Sequence, residues 1–368
     1  MRLPRSIQKH SFGASFFGRA PFLALVFSRG MLTPQTLVSL LLLFSASLAF
    51  AADAPLSPAP TKATDIKPAP AVEVPAKKLE YIPPTPTEAD VAYGTHSKQV
   101  LHFWKAESDK PTPLIFFIHG GGWMGGNRTS GLSSILPSAL KNGISVVSVE
   151  YRFIPEATAD KVEPPVKGPM MDAARALQFV RSKAKEWNID KKRIGASGGS
   201  AGACTSLWLA FHDDLADAKN PDPIARESTR LLCAAVSGPQ TSLDPNQMRE
   251  WTPNSVYGAH AFGIKGDAAT KQSTFDAFVA AREKILPWIA EYSPYALVSS
   301  DDPAVGLYFN NLPAIGQPAK DPTHSANFGL KLKEQCDAHK VSCELVYPGL
   351  EGVQHATTFD FLLAHLKR

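Results

Sequence analysis

The sequence predicts an α/β domain built on a mostly parallel sheet with helices on both faces. Three observations carry that reading. Pro113-Leu-Ile-Phe-Phe-Ile-His119 and Ile144-Ser-Val-Val-Ser-Val149 are nearly continuous apolar runs, as expected of strands buried on both faces. Such runs alternate along the chain with segments of helical period, which is the order that builds a covered parallel sheet. Gly198-x-Ser200-x-Gly202 lies where a strand, Arg193 to Ala196, gives way to an apolar helix beginning near Ala203.

Residues 1–51 carry Arg2, Arg5, Lys9, Arg19 and Arg29 and no acidic residue. The apolar run Leu37 to Phe44 follows, and the segment ends in Ala49-Phe-Ala51. A basic region, a short apolar core and a small-x-small site describe a secretory signal peptide cleaved near Ala51, with an exported, periplasmic or secreted product. The apolar core is too short for a stable membrane span in the mature protein. Met31 is an alternative start, and an uncleaved anchor is the alternative product. Removing the five basic residues takes the formal charge from +4 to about −1, so the basic balance belongs to the export signal and gives no reason to invoke nucleic acid.

Residues 52–86 are rich in proline and alanine and read as an extended linker, because they offer little apolar surface to bury. Residues 87–368 have the length of one large α/β domain. Within it, Gln99 to Trp104 alternates and predicts an edge strand. Helices are expected from about Met170 to Trp187, with Ala174, Leu177, Val180 and Ala184 on one face, and from Ala203 to Phe211. Leu231 to Ser237 predicts another strand.

Between residues 238 and 295 the pattern breaks. Trp251, Tyr257, Phe262, Phe275, Phe278 and Trp288 stand among polar residues. This insert is either a lid shaping a pocket or a set of peripheral packing helices. Ala304 to Phe309 restarts the sheet, and a helix from about Ala326 to Ala338, a strand from Cys343 to Tyr347 and a helix from Thr357 to Leu366 complete it.

Two motifs carry chemistry. The Gly198-x-Ser200-x-Gly202 frame exposes a serine hydroxyl on a sharp strand-to-helix turn. The frame Gly195-x-Ser197-x-Gly199 also fits, but a helix starting at Ser197 would hold Gly198, Gly199 and Gly202 in its first turns at up to about 1 kcal/mol each. Ser200 is therefore the expected nucleophile. His119-Gly-Gly-Gly-Trp123 follows a buried strand and offers the N–H groups of Gly121 and Gly122, with that of Ala201, to a developing oxyanion. His119, Tyr151 and Arg152 are expected to organise this loop. Trp123 is expected to wall the substrate pocket, or else to be a core aromatic.

From about residue 98 onward the chain resembles the α/β-hydrolase fold and, more narrowly, the hormone-sensitive-lipase-like esterases and bacterial acetyl and carbohydrate esterases. The matching stretches are His119-Gly-Gly-Gly-Trp123, Glu150-Tyr-Arg152 with Pro155-Glu156, Gly198-Gly-Ser-Ala-Gly202, Asp321-Pro322, and Pro348-Gly349 ahead of His355. The resemblance implies a serine carboxylesterase acting on a small ester or an acylated carbohydrate through a Ser, Asp, His triad, with no cofactor and no metal. It places the base in the loop after the last strand, hence His355. The family's frequent His-Gly-x-x-Asp pattern is missing after Phe309, where the chain reads Asn310-Asn311-Leu312. Asp321 is the triad acid expected by elimination, with an N-cap as its alternative role. His324 is expected to line the pocket.

The four cysteines, Cys204, Cys233, Cys336 and Cys343, lack CxxC metal spacing. Export would permit a Cys336–Cys343 disulfide, whereas Cys204 and Cys233 sit in core elements. A lipase or peptidase on the same fold, and a non-catalytic binding protein that kept the fold, are the competing readings.

Overall fold

The structure is a computed structural model that describes residues 81–368. The expected signal peptide and nearly all of the expected linker lie outside the described residues. Eight strands form one sheet in the order β1-β2-β4-β3-β5-β6-β7-β8. They are β1 (Glu88–Ala92), β2 (Val100–Trp104), β3 (Thr112–Ile118), β4 (Ser145–Val149), β5 (Ile189–Gly199), β6 (Cys233–Ser237), β7 (Ala304–Tyr308) and β8 (Cys343–Val346). β1 pairs antiparallel with β2, and β2 with β4; all remaining pairs are parallel.

The helices between them are α1 (Leu136–Lys141), α2 (Ile154–Ala159), α3 (Lys167–Ser182), α4 (Ala184–Trp187) and α5 (Ala201–Phe211). The insert contributes α6 (Pro245–Trp251), α7 (Lys271–Tyr292) and α8 (Pro294–Leu297), and α9 (Ala326–His339) and α10 (Thr358–Leu366) close the fold. The short β1, α1 and α2 are the elements that sequence pattern alone does not announce.

The continuous apolar runs serve two cores. Because strand side chains alternate, Leu114, Phe116 and Ile118 of β3 enter one apolar cluster while Ile115 and Phe117 enter the other. Each such buried side chain contributes about 1.5–3 kcal/mol relative to exposure, which a half-polar strand could not supply. The register aligns the carboxyl ends of the central strands: Ile118 of β3 stands opposite Gly198 of β5, and Gly199 opposite Ser237 of β6. The loops leaving these ends therefore meet above the sheet. Side chains cap the helices there: Ser325 accepts the Asn327 N–H at the start of α9, and Thr357 accepts that of Asp360 at the start of α10.

All four cysteines are buried free thiols, so the Cys336–Cys343 pairing that export would permit is not formed. Those two side chains are hydrogen-bonded to each other, and that bond together with burial pushes the Cys343 thiol well up. Among the described residues no helix is long and apolar enough to cross a membrane.

Candidate active site

Ser200 occupies the sharp turn between β5 and α5 with φ of 53° and ψ of −122°. A non-glycine residue in that region is strained and persists only where its surroundings over-determine it. Two glycines permit the turn to press against β3. A methyl group at Gly198 or Gly202 would collide with the Ile118 carbonyl, and one at Gly202 with the His119 carbonyl as well. Ser197, the other candidate frame, lies inside β5 with its hydroxyl donating to the Ala235 carbonyl at 2.7 Å. It is buried and faces away from solvent.

The imidazole that meets Ser200 is His324. Its Nε2 lies 2.9 Å from Ser200 Oγ, and its Nδ1 lies 2.8 Å from Asp321 Oδ2. Since the ionised carboxylate only accepts, Nδ1 carries the proton and Nε2 is left to accept the serine O–H. The other Asp321 oxygen accepts the N–H groups of Thr323 at 3.2 Å and His324 at 3.3 Å. One Asp321 oxygen caps the turn Pro322–His324, and the other holds the ring. Burial pushes the Asp321 carboxyl up, but the His324 hydrogen bond and charge and the two N–H groups outweigh it and hold the group below its ordinary value.

The arrangement corrects the placement of His355. Its Nδ1 is held by Glu344 of β8 at 2.8 Å and its ring packs on Phe361, while the hydrogen bond to Ser200 comes from His324. Asn311, which stands where the familiar acidic pattern is missing, fixes the His324 turn. Its Nδ2 donates to the His324 carbonyl at 2.8 Å and its Oδ1 accepts the Ala326 N–H at 2.8 Å. Gln240 adds a bond to the Thr323 carbonyl at 2.8 Å.

The loop after β3 is braced carbonyl by carbonyl. His119 Nδ1 meets the Gly120 carbonyl at 2.8 Å, and Met124 N–H donates to Gly121 at 3.0 Å. In a planar trans peptide the N–H points opposite to the C=O, so these bonds turn the Gly121 and Gly122 N–H groups the other way. Gly121 needs its missing side chain, because its φ of 114° is one that L residues rarely adopt. Ala201 opens α5, so its N–H has no partner within the helix. Tyr151 donates to the His119 carbonyl at 2.8 Å, and Arg152 grips Asp172 at 2.9 and 2.7 Å. Glu150 faces His119 Nε2 at 3.2 Å. Burial raises this carboxyl, yet the bonds and charges from His119, Lys98 and Arg128 outweigh it and hold it low.

Trp123 is fully buried rather than a wall of the pocket. Its indole N–H donates to Thr205 Oγ1 at 3.0 Å, tying the loop to α5, because a buried indole needs a partner for its N–H. A cavity of about 610 Å³ opens over Ser200, with Gly120, Gly121, Tyr308, Asn310, Asp321 and His324 among its lining residues. Its lining draws on Gly238 but on nothing from residues 240–295, whose stretch Val256 to His260 lines a neighbouring cavity together with Thr323.

Residues 102–308, more than half of the chain, match the BD-FAE family. The chain belongs to the BD-FAE family. This BD-FAE chain is 32% identical over 105 residues to an esterase of Gibberella moniliformis, covering 28% of this chain and 31% of that protein. It is similar to the acetyl ester-xyloside bifunctional hydrolase from Caldicellulosiruptor lactoaceticus, at 25% identity and a TM-score of 0.50, over 67% of this chain and 77% of that one. A truncated carbohydrate esterase from gut microbiota shares the fold at 19% identity with a TM-score of 0.55, over 76% of this chain and 96% of that one. The mostly parallel sheet is thus that of an α/β-hydrolase. The BD-FAE chain spans a third or less of the length of the first curated relatives it matches.

Proposed function

We propose that the protein is a serine carboxylesterase that hydrolyses short-chain, chiefly acetyl, esters, including those of carbohydrates. The observation that carries this reading is the continuous hydrogen-bonded chain Ser200–His324–Asp321 at 2.9 and 2.8 Å, beside a backbone-lined cavity. His324, not His355, is the general base of this reading, and Asp321 is the acid that orients it.

In the reaction, Ser200 Oγ attacks the ester carbonyl carbon as its proton passes to His324 Nε2. Asp321 holds the imidazole by Nδ1 and stabilises the imidazolium that forms. The carbonyl oxygen becomes an oxyanion, which the N–H groups of Gly121, Gly122 and Ala201 stabilise. The C–O bond to the alcohol then breaks, and the alcohol leaves with the proton returned by His324. Water, deprotonated by His324, attacks the acyl-enzyme; Ser200 recovers its proton and the carboxylic acid is released. The acetyl ester-xyloside hydrolase supports the choice of acyl and alcohol groups. We also propose export, on the basic, apolar and small-residue succession in residues 1–51.

Hydrolysis of p-nitrophenyl acetate, butyrate and octanoate by the wild type, Ser200→Ala and Ser197→Ala tests the reading. Activity on acetate, falling with chain length and lost only in Ser200→Ala, is expected. Equal, negligible turnover by all three proteins would refute it.

A further inference from the structure

The insert reaches the glycine loop through one hydrogen bond. His260 sits in the 3-10 turn Ala259–Phe262, and its Nε2 lies 2.9 Å from the carbonyl oxygen of Gly122. A carbonyl only accepts, so this nitrogen carries the proton and donates. Burial lowers the basicity of His260 against the opposing effect of the Gly122 carbonyl, which keeps the ring a neutral, single-proton donor.

The Gly122 carbonyl shares its peptide with the Trp123 N–H, so this bond holds the loop just beyond the Gly121 and Gly122 N–H groups. The Gly120 and Gly121 carbonyls are pinned from within the loop and its own strand, by His119 and by Met124. The Gly122 carbonyl is held from 138 residues away. With φ of 63° and no side chain, Gly122 has a wide choice of ψ unless its carbonyl is held. The side chains nearest it come from this turn and from just before it: a methyl group built there would stand 3.7 Å from the Tyr257 hydroxyl and 3.9 Å from His260 Nε2. Tyr257 in turn packs edge-on against the His260 ring, with centroids 4.9 Å apart.

The clamp itself is firmly mounted. Left-handed glycines, Gly258 and Gly263, bound the turn at either end. Val166 N–H donates to the Ala261 carbonyl at 2.9 Å, anchoring the turn to the start of α3, and Phe262 packs against Phe278 of α7 at 5.6 Å.

We infer that His260 is a positioning residue for ester hydrolysis: by donating to the Gly122 carbonyl, it fixes the glycine loop that presents N–H groups to the oxyanion. The inference rests on the esterase reading for its kinetic consequence but not for its structural one. It assigns the insert a role in the transition state. A group that acts only on the oxyanion lowers kcat and leaves KM nearly unchanged, because the ground-state ester carries little charge on that oxygen.

The test compares wild type, His260→Phe, which keeps a ring but no donor, and His260→Gln, whose amide N–H restores one. Two readouts are taken: kcat and KM on p-nitrophenyl acetate, and deuterium uptake by the peptide spanning residues 119–126. Direct loss of an oxyanion donor costs about 10²–10³ in kcat, so loss of a clamp behind one is expected to cost about tenfold. His260→Phe should show that loss with KM within twofold and faster uptake in the 119–126 peptide, and His260→Gln should recover most of both. Unchanged uptake in folded His260→Phe, or full kcat there, overturns the inference. Equal defects in Phe and Gln variants also overturn it, since the ring would then matter for packing alone. If the wild type does not hydrolyse the ester, the esterase reading fails and the uptake comparison alone decides the clamp.

Discussion

Replacing each of two histidines by alanine separates the two places from which a base could serve Ser200. In His324→Ala the serine loses the only imidazole that the described residues place on it, at 2.9 Å, and Asp321 loses the Nδ1–H it holds at 2.8 Å. Removing the base of a serine triad costs about 10⁴-fold or more in kcat, which at 1.36 kcal/mol per decade is about 5 kcal/mol of transition-state stabilisation. In His355→Ala the loss is a hydrogen-bonded pair with Glu344, whose two side chains are 17% and 21% exposed. Pairs that near the surface contribute about 1 kcal/mol or less to stability. The bond from the Tyr308 hydroxyl survives, because it goes to the His355 backbone carbonyl at 3.0 Å.

The assay is kcat/KM for p-nitrophenyl acetate together with the melting temperature of each variant. His324→Ala should melt close to the wild type and be nearly inactive, and added imidazole should restore part of its activity, because the His324 side chain is 38% exposed and its place is reachable from solvent. His355→Ala should stay within about threefold of the wild type, as expected of a residue outside the proton path. A folded His355→Ala as inactive as Ser200→Ala, beside an active His324→Ala, would refute the assignment of the base. The loop after β8 would then have to reach Ser200 during turnover.

Asn311→Ala removes the two 2.8 Å bonds that hold the His324 turn, each worth about 1 kcal/mol, and is expected to lower kcat about tenfold with KM little changed; full kcat would mean that Asp321 and Gln240 hold the turn unaided. Trp123→Phe leaves Thr205 without the indole donor and should cost about 1–2 kcal/mol in urea unfolding, with the acetate-to-butyrate rate ratio unchanged because the ring is sealed behind the loop. A shifted ratio would return Trp123 to the pocket wall. Burial pushes the Asp302 carboxyl up to about 6, against the opposing Ser299 N–H and Arg230. The native state then binds this proton more tightly than the unfolded chain, so stability is lost as pH rises from about 4 to 6. Asp302→Asn should gain about 1 kcal/mol at pH 7.5, after allowing for solvent screening, and nothing at pH 4; an equal effect at both pH values would remove titration as its cause.

Much of the architecture was legible because steric demands are written locally. A run such as Leu114 to Ile118 can bury both faces only in a covered sheet, and the observed strand spans Thr112–Ile118. The cost of Gly198, Gly199 and Gly202 inside a helix is what let Ser200 rather than Ser197 be picked, and the structure adds that Gly198 and Gly202 press on the Ile118 carbonyl, where no larger residue fits. The histidine that meets Ser200 was not legible. Six histidines follow Ser200, and position after the last strand favours His355. What decides between them is which ring approaches Ser200, a contact across 124 residues that no local pattern encodes. Trp123 failed in the same way: HGGGW spacing locates the loop, but not the side of it on which the indole lies. His260 left no signal beyond its place in the insert.

What the local sequence does encode is the pairing of His324 with Asp321. Asp321 and His324 are three residues apart with Pro322 between them, and a proline at the first position of a turn favours the geometry that brings residues i and i+3 together. The acid and the base thereby come as one unit. When they lie on separate loops, each loop must be ordered before the imidazole is aligned, and the entropy of both is lost. Here the Asp321 carboxylate closes the turn and aligns the ring in a single step, and Asn311 and Gln240 need only fix that turn over Ser200. The cost falls instead on the segment from Asn310 to Lys320, which must carry the pair from the end of β7 to the cavity. Backbone bonds along that segment hold it in place. Asn327 accepts the Ala314 N–H at 2.6 Å, Trp251 accepts that of Gly316 at 3.0 Å, and Asn254 grips both polar groups of the Ala319 backbone at 2.8 and 3.0 Å. Trp251 and Asn254 belong to the insert. The same stretch of chain thus supports the segment that carries Asp321 and His324 and, through His260, the glycine loop beside Ser200.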